Sequence, residues 1–374
     1  MKQNWIATME PLAGATTCNI SKLLLENKLR VHPKYWFRCY IAIRATHYFL
    51  PLRVVERIKY HSKIKQTKIM KDPVFIIGHW RTGTTLLYSM ISRDNQFGFV
   101  TNLETYCPHF FLSFRKLTQR FVDFALPETR PMDNVKMGSK ETAEEEYALS
   151  AYDKYGFYNA LIFPKNFAYY SRYLTFKDCS EKEVQKWKKR YNYFLQKMTL
   201  KHNGKRLILK NPANTSRVKH LLAMFPNAKF IHTIRNPYYT FLSTLRFYRK
   251  VLPLFTLQKW DDEKIKEGFI KNYNDMYSVF EKDRELIPRN NIIDVKYEDL
   301  IRNPLEIVEG AYEALEIGEF SKVKNAMKKF VKAQANYKPN IHTISSEIIN
   351  EVNENWFEKM EKYGYSQLKP NNIK

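Results

Sequence analysis

The stretch PVFIIGHWRTGTTLL, residues 73–87, carries the fold in outline. Val74 to Ile77 form a short continuous apolar run, the pattern of a strand buried on both faces of a parallel sheet. A glycine-bounded turn follows. Leu86, Leu87, Met90 and Ile91 then recur at helical spacing, which predicts a helix from about Gly83 to Arg93. A strand, a turn and a helix start present unpaired backbone N–H groups that suit an anion. Gly78 and Gly83 have the spacing of a nucleotide-triphosphate P-loop, but Thr84 stands where such loops carry lysine and Thr85 where they carry Ser or Thr. A P-loop lysine reaches the β- and γ-phosphates of ATP or GTP, so its absence argues against a triphosphate. Arg81 offers a cation from a different position, and Thr84, Thr85 and the helix dipole still favour an anion.

Outward from this stretch, strands and helices alternate. A helix is expected over 139–151, with Ser139 as cap and Glu141, Glu144, Glu145 and Glu146 toward its positive end. Ser180 and Glu183 make a capping box for a helix to about Leu200. A strand at Arg206–Lys210, a helix from about Thr215 to Met224 and a strand at 228–234 follow, then a helix capped by Asn236 with Pro237 at its first position. A helix over 262–285, a strand over 292–295 and helices near 304–316, 318–334 and 344–362 complete the pattern. The fold class is therefore α/β: a P-loop-type parallel sheet flanked by helices, with ligands at the carboxyl ends of strands. Residues 1–70 read as an N-terminal helical extension packed on the core, 71–374 as the α/β domain, and about 104–175 as a helical insertion.

The chain has 374 residues, 44% of them hydrophobic, enough for a substantial core, and no Pro/Gly/Ser linker divides it. A net charge of +24 suits a polyanionic ligand or an acidic surface. Most lysines, as in 182–190 and 322–332, alternate with apolar residues and read as solvated helix faces rather than a nucleic-acid site. Four dispersed cysteines give no metal spacing and fit a reducing compartment. The first twenty residues lack a signal-peptide core, and no apolar run reaches eighteen residues, so a cytoplasmic protein is expected. Residues 34–58 are aromatic and basic; a helix packed over a core and a membrane-surface helix are the two readings they allow.

The string Arg81-Thr82-Gly83-Thr84-Thr85-Leu86 resembles the sulfotransferases, in which [KR]-[ST]-G-T-T-[LW] holds the 5′-phosphosulfate of 3′-phosphoadenylyl sulfate (PAPS). A second apolar run ends in Arg235-Asn236-Pro237, with Ser243 eight residues past Arg235. In that family such an arginine and serine bind the 3′-phosphate. A third string, VKYEDL at 295–300, is similar to the family's strand and loop near the end of its core. The likeness extends over about residues 73–310 and is greatest to a bacterial branch.

The resemblance implies PAPS as sulfuryl donor and a small-molecule hydroxyl acceptor, with no metal. Arg81, Thr82, Gly83, Thr84, Thr85 and Leu86 would hold the 5′ side, and Arg235 and Ser243 the 3′-phosphate. Lys210, in the LKNP string at a strand end, would help neutralise the sulfuryl group, the alternative being a surface lysine. Arg217 would reach the nucleotide or be solvated. For the base, the tyrosine-sulfating branch places a glutamate about twenty residues past the loop arginine; Glu104 lies twenty-three past Arg81. Glu145 and Glu146, with Asp133 nearby, come next, and His109 third. The aromatics of 104–175, Tyr106, Phe110 and Tyr147 among them, suit a sterol-like or lipid alcohol over a sugar. A nucleotide kinase, with Asp294 as its metal-holding acid, is the competing class.

Overall fold

The computed structural model describes residues 12, 14–130, 132, 135–334 and 344–370. Two compact units are present. One comprises residues up to Lys71, Gly98–Leu207 and Arg249–Ile265; the other comprises Asp72–Phe97, Ile208–Tyr248 and residues from Lys266 onward.

The second unit contains most of the sheet. Strands β1 (Val74–Ile77), β2 (Phe97–Gly98), β3 (Arg206–Lys210), β4 (Lys229–Ile234) and β5 (Ile292–Lys296) stand in the order β2-β3-β1-β4-β5. β1 pairs in parallel with β3 and β4, and β4 in parallel with β5. All four residues of β1 are buried, as its unbroken apolar run requires. Its neighbours β3 and β4 lie on opposite sides, so the loop after β1 opens at a point where the strand order reverses, the usual ligand position in such sheets. Helices Thr84–Ile91, Pro237–Phe255, Asp262–Arg284 and Pro304–Leu315 follow the expected bounds closely. Asn236 caps its helix by accepting from Tyr238 N–H at 3.1 Å.

The other unit is helical. Helices Trp36–Tyr48 and Leu50–Gln66 precede β1, and Glu181–Lys201 begins with the expected capping box of Ser180 and Glu183. One local expectation fails here. The helix expected from Ser139 begins only at Glu145. Residues 138–141 instead form a turn, closed by Glu141 N–H donating to Gly138 O at 3.1 Å and held against 101–103: Leu103 N–H donates to Ser139 O at 3.0 Å, Asn102 N–H to Glu141 O at 3.0 Å, and Thr101 bridges Thr142. The segment TNLETYC forms a short helix at Asn102–Tyr106. Thr101 and Glu104 are its Thr-x-x-Glu capping box.

The insertion aromatics pack largely on one another. Phe110, Phe157, Phe163, Tyr170 and Tyr173 are buried, while Tyr106 and Tyr147 are half-buried and stack at 6.4 Å. Among the described residues no helix is long and apolar enough to cross a membrane.

Candidate active site

Three sequence strings meet at the carboxyl edge of the sheet. The loop after β1 turns sharply, with Gly78 at φ +127°, Arg81 at +73° and Gly83 at +91°. A Cβ at Gly78 would lie 2.3 Å from Thr233 O, and one at Gly83 2.5 Å from the Tyr297 ring, so both positions need glycine. Arg81 has no such excuse. A non-glycine residue in this region costs of order 1–3 kcal/mol and persists where the surroundings hold it.

Those surroundings are specific. Gly78 N–H donates to Thr215 Oγ1 at 2.7 Å. Thr82 Oγ1 donates to His79 O at 2.7 Å and lies 2.7 Å from Thr233 Oγ1, so its hydroxyl braces the loop rather than facing a ligand. Arg81 Nε donates to Ser243 Oγ at 2.9 Å, and Arg235 Nη1 donates to Arg81 O at 3.0 Å. The Arg235 guanidinium sits 4.3 Å from the centre of the Tyr297 ring, the ring that also backs Gly83. Asn236 N–H donates to Glu298 Oε1 at 3.0 Å. Arg81, Arg235 and Ser243, drawn from strings about 160 residues apart, thus form one cationic cluster at a helix start. Tyr297, Thr215 and Glu298 are its supports. VKYEDL pointed to this segment without marking Tyr297.

Thr84 is buried, and Thr85 and Leu86 are half-buried in the first turn of Thr84–Ile91. Lys210 ends β3 and is 2% exposed, which excludes a surface lysine; Arg217 is fully buried, not solvated. His79 cannot supply a cation. Burial pushes its imidazole down to about 3, against a weaker upward pull from its bond to Trp80 O, and the ring packs among Trp80, Tyr273 and Trp356.

The acid a kinase would need is engaged. Asp294 accepts from Arg284 at 2.8 and 2.9 Å and from His232 Nδ1 at 2.8 Å. Burial alone would raise its carboxyl, but these two partners outweigh burial and hold it well below the usual carboxylate range. No three His, Cys, Asp or Glu side chains among the described residues are grouped to hold a metal.

The candidate bases lie in the helical unit. Glu104 is fully buried; its Oε2 accepts from Thr101 N–H at 2.8 Å and Thr101 Oγ1 at 2.6 Å, and Oε1 lies 2.8 Å from Lys201 Nζ. Glu145 accepts from Tyr191 OH at 2.7 Å, and Glu146 from Phe157 N–H at 2.6 Å. His109 is pushed down to about 3 by burial and by the cations Lys197, Arg53 and Arg190. Asp133 lies outside the described residues.

A five-stranded α/β sheet whose P-loop lacks lysine and joins a second arginine and a serine has the form of a sulfotransferase. The chain belongs to the sulfotransferase family, whose model matches residues 73–321. Two curated relatives, each an omega-hydroxy-beta-dihydromenaquinone-9 sulfotransferase Stf3, from Mycobacterium bovis and Mycobacterium tuberculosis, are 30% identical over 359 residues, covering 94% of this chain and 91% of each relative. The crystal structure of sulfotransferase STF9 from Mycobacterium avium shares the fold with a TM-score of 0.70 at 14% identity, covering 94% of this chain and 97% of that one. STF1 from M. tuberculosis does so with 0.60 at 17%, covering 84% and 86%.

Proposed function

We propose that this sulfotransferase takes its sulfuryl group from PAPS and delivers it to the hydroxyl of a lipophilic alcohol, releasing adenosine 3′,5′-bisphosphate. The observation that carries the donor assignment is the joining of Arg81, Ser243 and Arg235 through hydrogen bonds of 2.9 and 3.0 Å. Two arginines and a serine at a helix start suit a nucleotide with two separate phosphate groups.

Bound PAPS supplies an activated sulfur whose bridging oxygen leaves as the acceptor oxygen bonds in line. Arg81 and the N–H groups opening Thr84–Ile91 hold the 5′ side, with Thr84, Thr85 and Leu86 in that first turn and Thr82 and Gly83 shaping the loop. Arg235 and Ser243 hold the 3′-phosphate. Lys210, buried at the end of β3, balances negative charge on the transferring oxygens. No metal enters the scheme.

Glu104 is the proposed acceptor of the hydroxyl proton. Its capping box and its ion pair with Lys201 also give it a complete structural role. Glu104→Gln separates the two. The variant should lower the melting temperature in either case, because Lys201 loses its carboxylate; a base adds a fall in kcat of about 10²–10⁴-fold in the folded variant, whereas a cap alone leaves kcat unchanged.

The lipophilic acceptor rests on the aromatic insertion and on the menaquinone derivative named for the relatives. A screen with radiolabelled sulfuryl donor should label hydroxylated isoprenoid quinones or sterols before sugars; labelling of sugars alone would replace the acceptor class. The donor is tested by calorimetry. Adenosine 3′,5′-bisphosphate should bind without Mg²⁺ and more tightly than ATP, and Arg81→Ala and Arg235→Ala should each weaken it. Tighter binding of ATP with Mg²⁺ would favour a kinase instead.

A further inference from the structure

The helical unit exposes apolar side chains in ordered stripes. On Trp36–Tyr48, Trp36, Phe37, Tyr40 and Tyr48 fall within one arc at helical spacing and are 57–78% exposed. On Leu50–Gln66, Leu50, Val54 and Ile58 repeat every four residues and are 46–81% exposed. On Arg115–Ala125, Leu117, Phe121 and Phe124 share a face and are 42–71% exposed. The three stripes adjoin: Phe121 packs edge-on to Phe49 at 5.0 Å, and Phe49 meets Tyr48 at 5.3 Å. Isolated exposed apolar residues are ordinary, but contiguous faces of this kind mark interaction surfaces.

The charge around them selects the partner. Residues 27–71 contain twelve Lys or Arg and a single acid, Glu56. Glu56 is buried, with Lys197 Nζ at 2.6 Å, so this segment shows solvent no carboxylate. Arg44, Arg57, Lys59 and Lys63 are exposed beside the stripes, as are Lys116 and Arg120 on the third helix. An apolar face with a cationic border suits the plane of an anionic lipid surface, with aromatics at headgroup level and aliphatics below.

We infer that the face formed by Trp36–Tyr48, Leu50–Gln66 and Arg115–Ala125 docks this protein on an anionic bilayer. A second copy is disfavoured as occupant because a twofold contact would set the same cationic borders against each other. Nucleic acid would use the cations but gain nothing from Leu50, Val54, Ile58 and Leu117. The inference stands on this surface alone and is independent of donor and acceptor.

The test uses the full chain with vesicles of equal parts phosphatidylglycerol and phosphatidylcholine. The protein should cosediment with these and not with pure phosphatidylcholine, and brominated lipid should quench wild-type fluorescence more than that of Trp36→Phe. Phe37→Ser combined with Ile58→Ser and Phe124→Ser should lower vesicle affinity by at least about tenfold while leaving far-UV circular dichroism unchanged and the unfolding transition as cooperative as in wild type, which guards against misfolding. Unchanged vesicle binding by this variant would overturn the role of the face. So would preferential binding to DNA or RNA, or a dimer in light scattering that the substitutions abolish.

Discussion

In the sheet unit, Arg81, Ser243, Arg235 and Tyr297 come from three short strings and meet because parallel strands deliver their carboxyl ends to one edge. In the helical unit, Glu56 and Lys197 meet inside the packing from 141 residues apart, and Lys201 reaches Glu104. Strand topology fixes where a loop lies whatever its side chains do, so loop chemistry can be written in a contiguous motif. Helix packing fixes no such edge. There, charged partners must find each other one pair at a time, and their cost falls on stability.

Removing Lys197 breaks that contrast if stability is indifferent to it. Glu56 Oε1 faces Lys197 Nζ at 2.6 Å, and Oε2 accepts from Leu112 and Ser113 N–H at 2.7 and 2.9 Å. Burial pushes the Lys197 ammonium below its usual range, with Glu56 opposing the shift. Lys197→Met leaves a buried carboxylate without its cation, for which a loss of about 3–5 kcal/mol is expected. Urea unfolding checks this. Bisphosphate affinity of the folded variant should stay near wild type, since Lys197 belongs to the helical unit.

Acid bears on both units alike, since burial pushes His79 of the sheet unit and His109 of the helical unit each down to about 3. His79 is 2% exposed and its imidazole is pushed down to about 3 by burial. The unfolded chain, with an ordinary histidine near 6.5, binds this proton first, so His79 favours folding at neutral pH and that advantage fades as pH falls from about 6.5 toward 3. At pH 5 the loss is about 2 kcal/mol from this residue. His79→Phe should reduce the mean slope of unfolding free energy between pH 6.5 and 5 by about 1.1 kcal/mol per pH unit. An unchanged slope would mean the ring already takes up its proton in the folded protein.

How much was legible follows the same division. β1, β3, β4 and β5 stood out as apolar runs bounded by turns, and the P-loop string and the Arg235–Ser243 spacing carried chemistry in the order of their residues. Ser139 misled because a capping residue before acids also suits a turn, and the bonds from Asn102 and Leu103 to that turn decided between them. Glu104 stands out by its offset from Arg81, and its Thr-x-x-Glu frame is a helix start written in the sequence. The partner Lys201 has no local signature at all, being one lysine among many on a basic helix.

Tyr297 tests how far the motifs are sufficient. It lies outside both phosphate strings, but its ring is 4.3 Å from the Arg235 guanidinium and occupies the space a side chain at Gly83 would need. A cation over an aromatic face contributes about 0.5–1 kcal/mol where exposed and about 2 where desolvated. Tyr297→Leu keeps apolar bulk and removes the π face, so bisphosphate affinity should fall about three- to tenfold. A drop confined to the enthalpy of nucleotide binding, with the melting temperature held, would mark the ring as what orients Arg235. No change in affinity would mean that the hydrogen bond from Arg235 to Arg81 O suffices to fix the guanidinium, and that the two phosphate strings carry the site unaided.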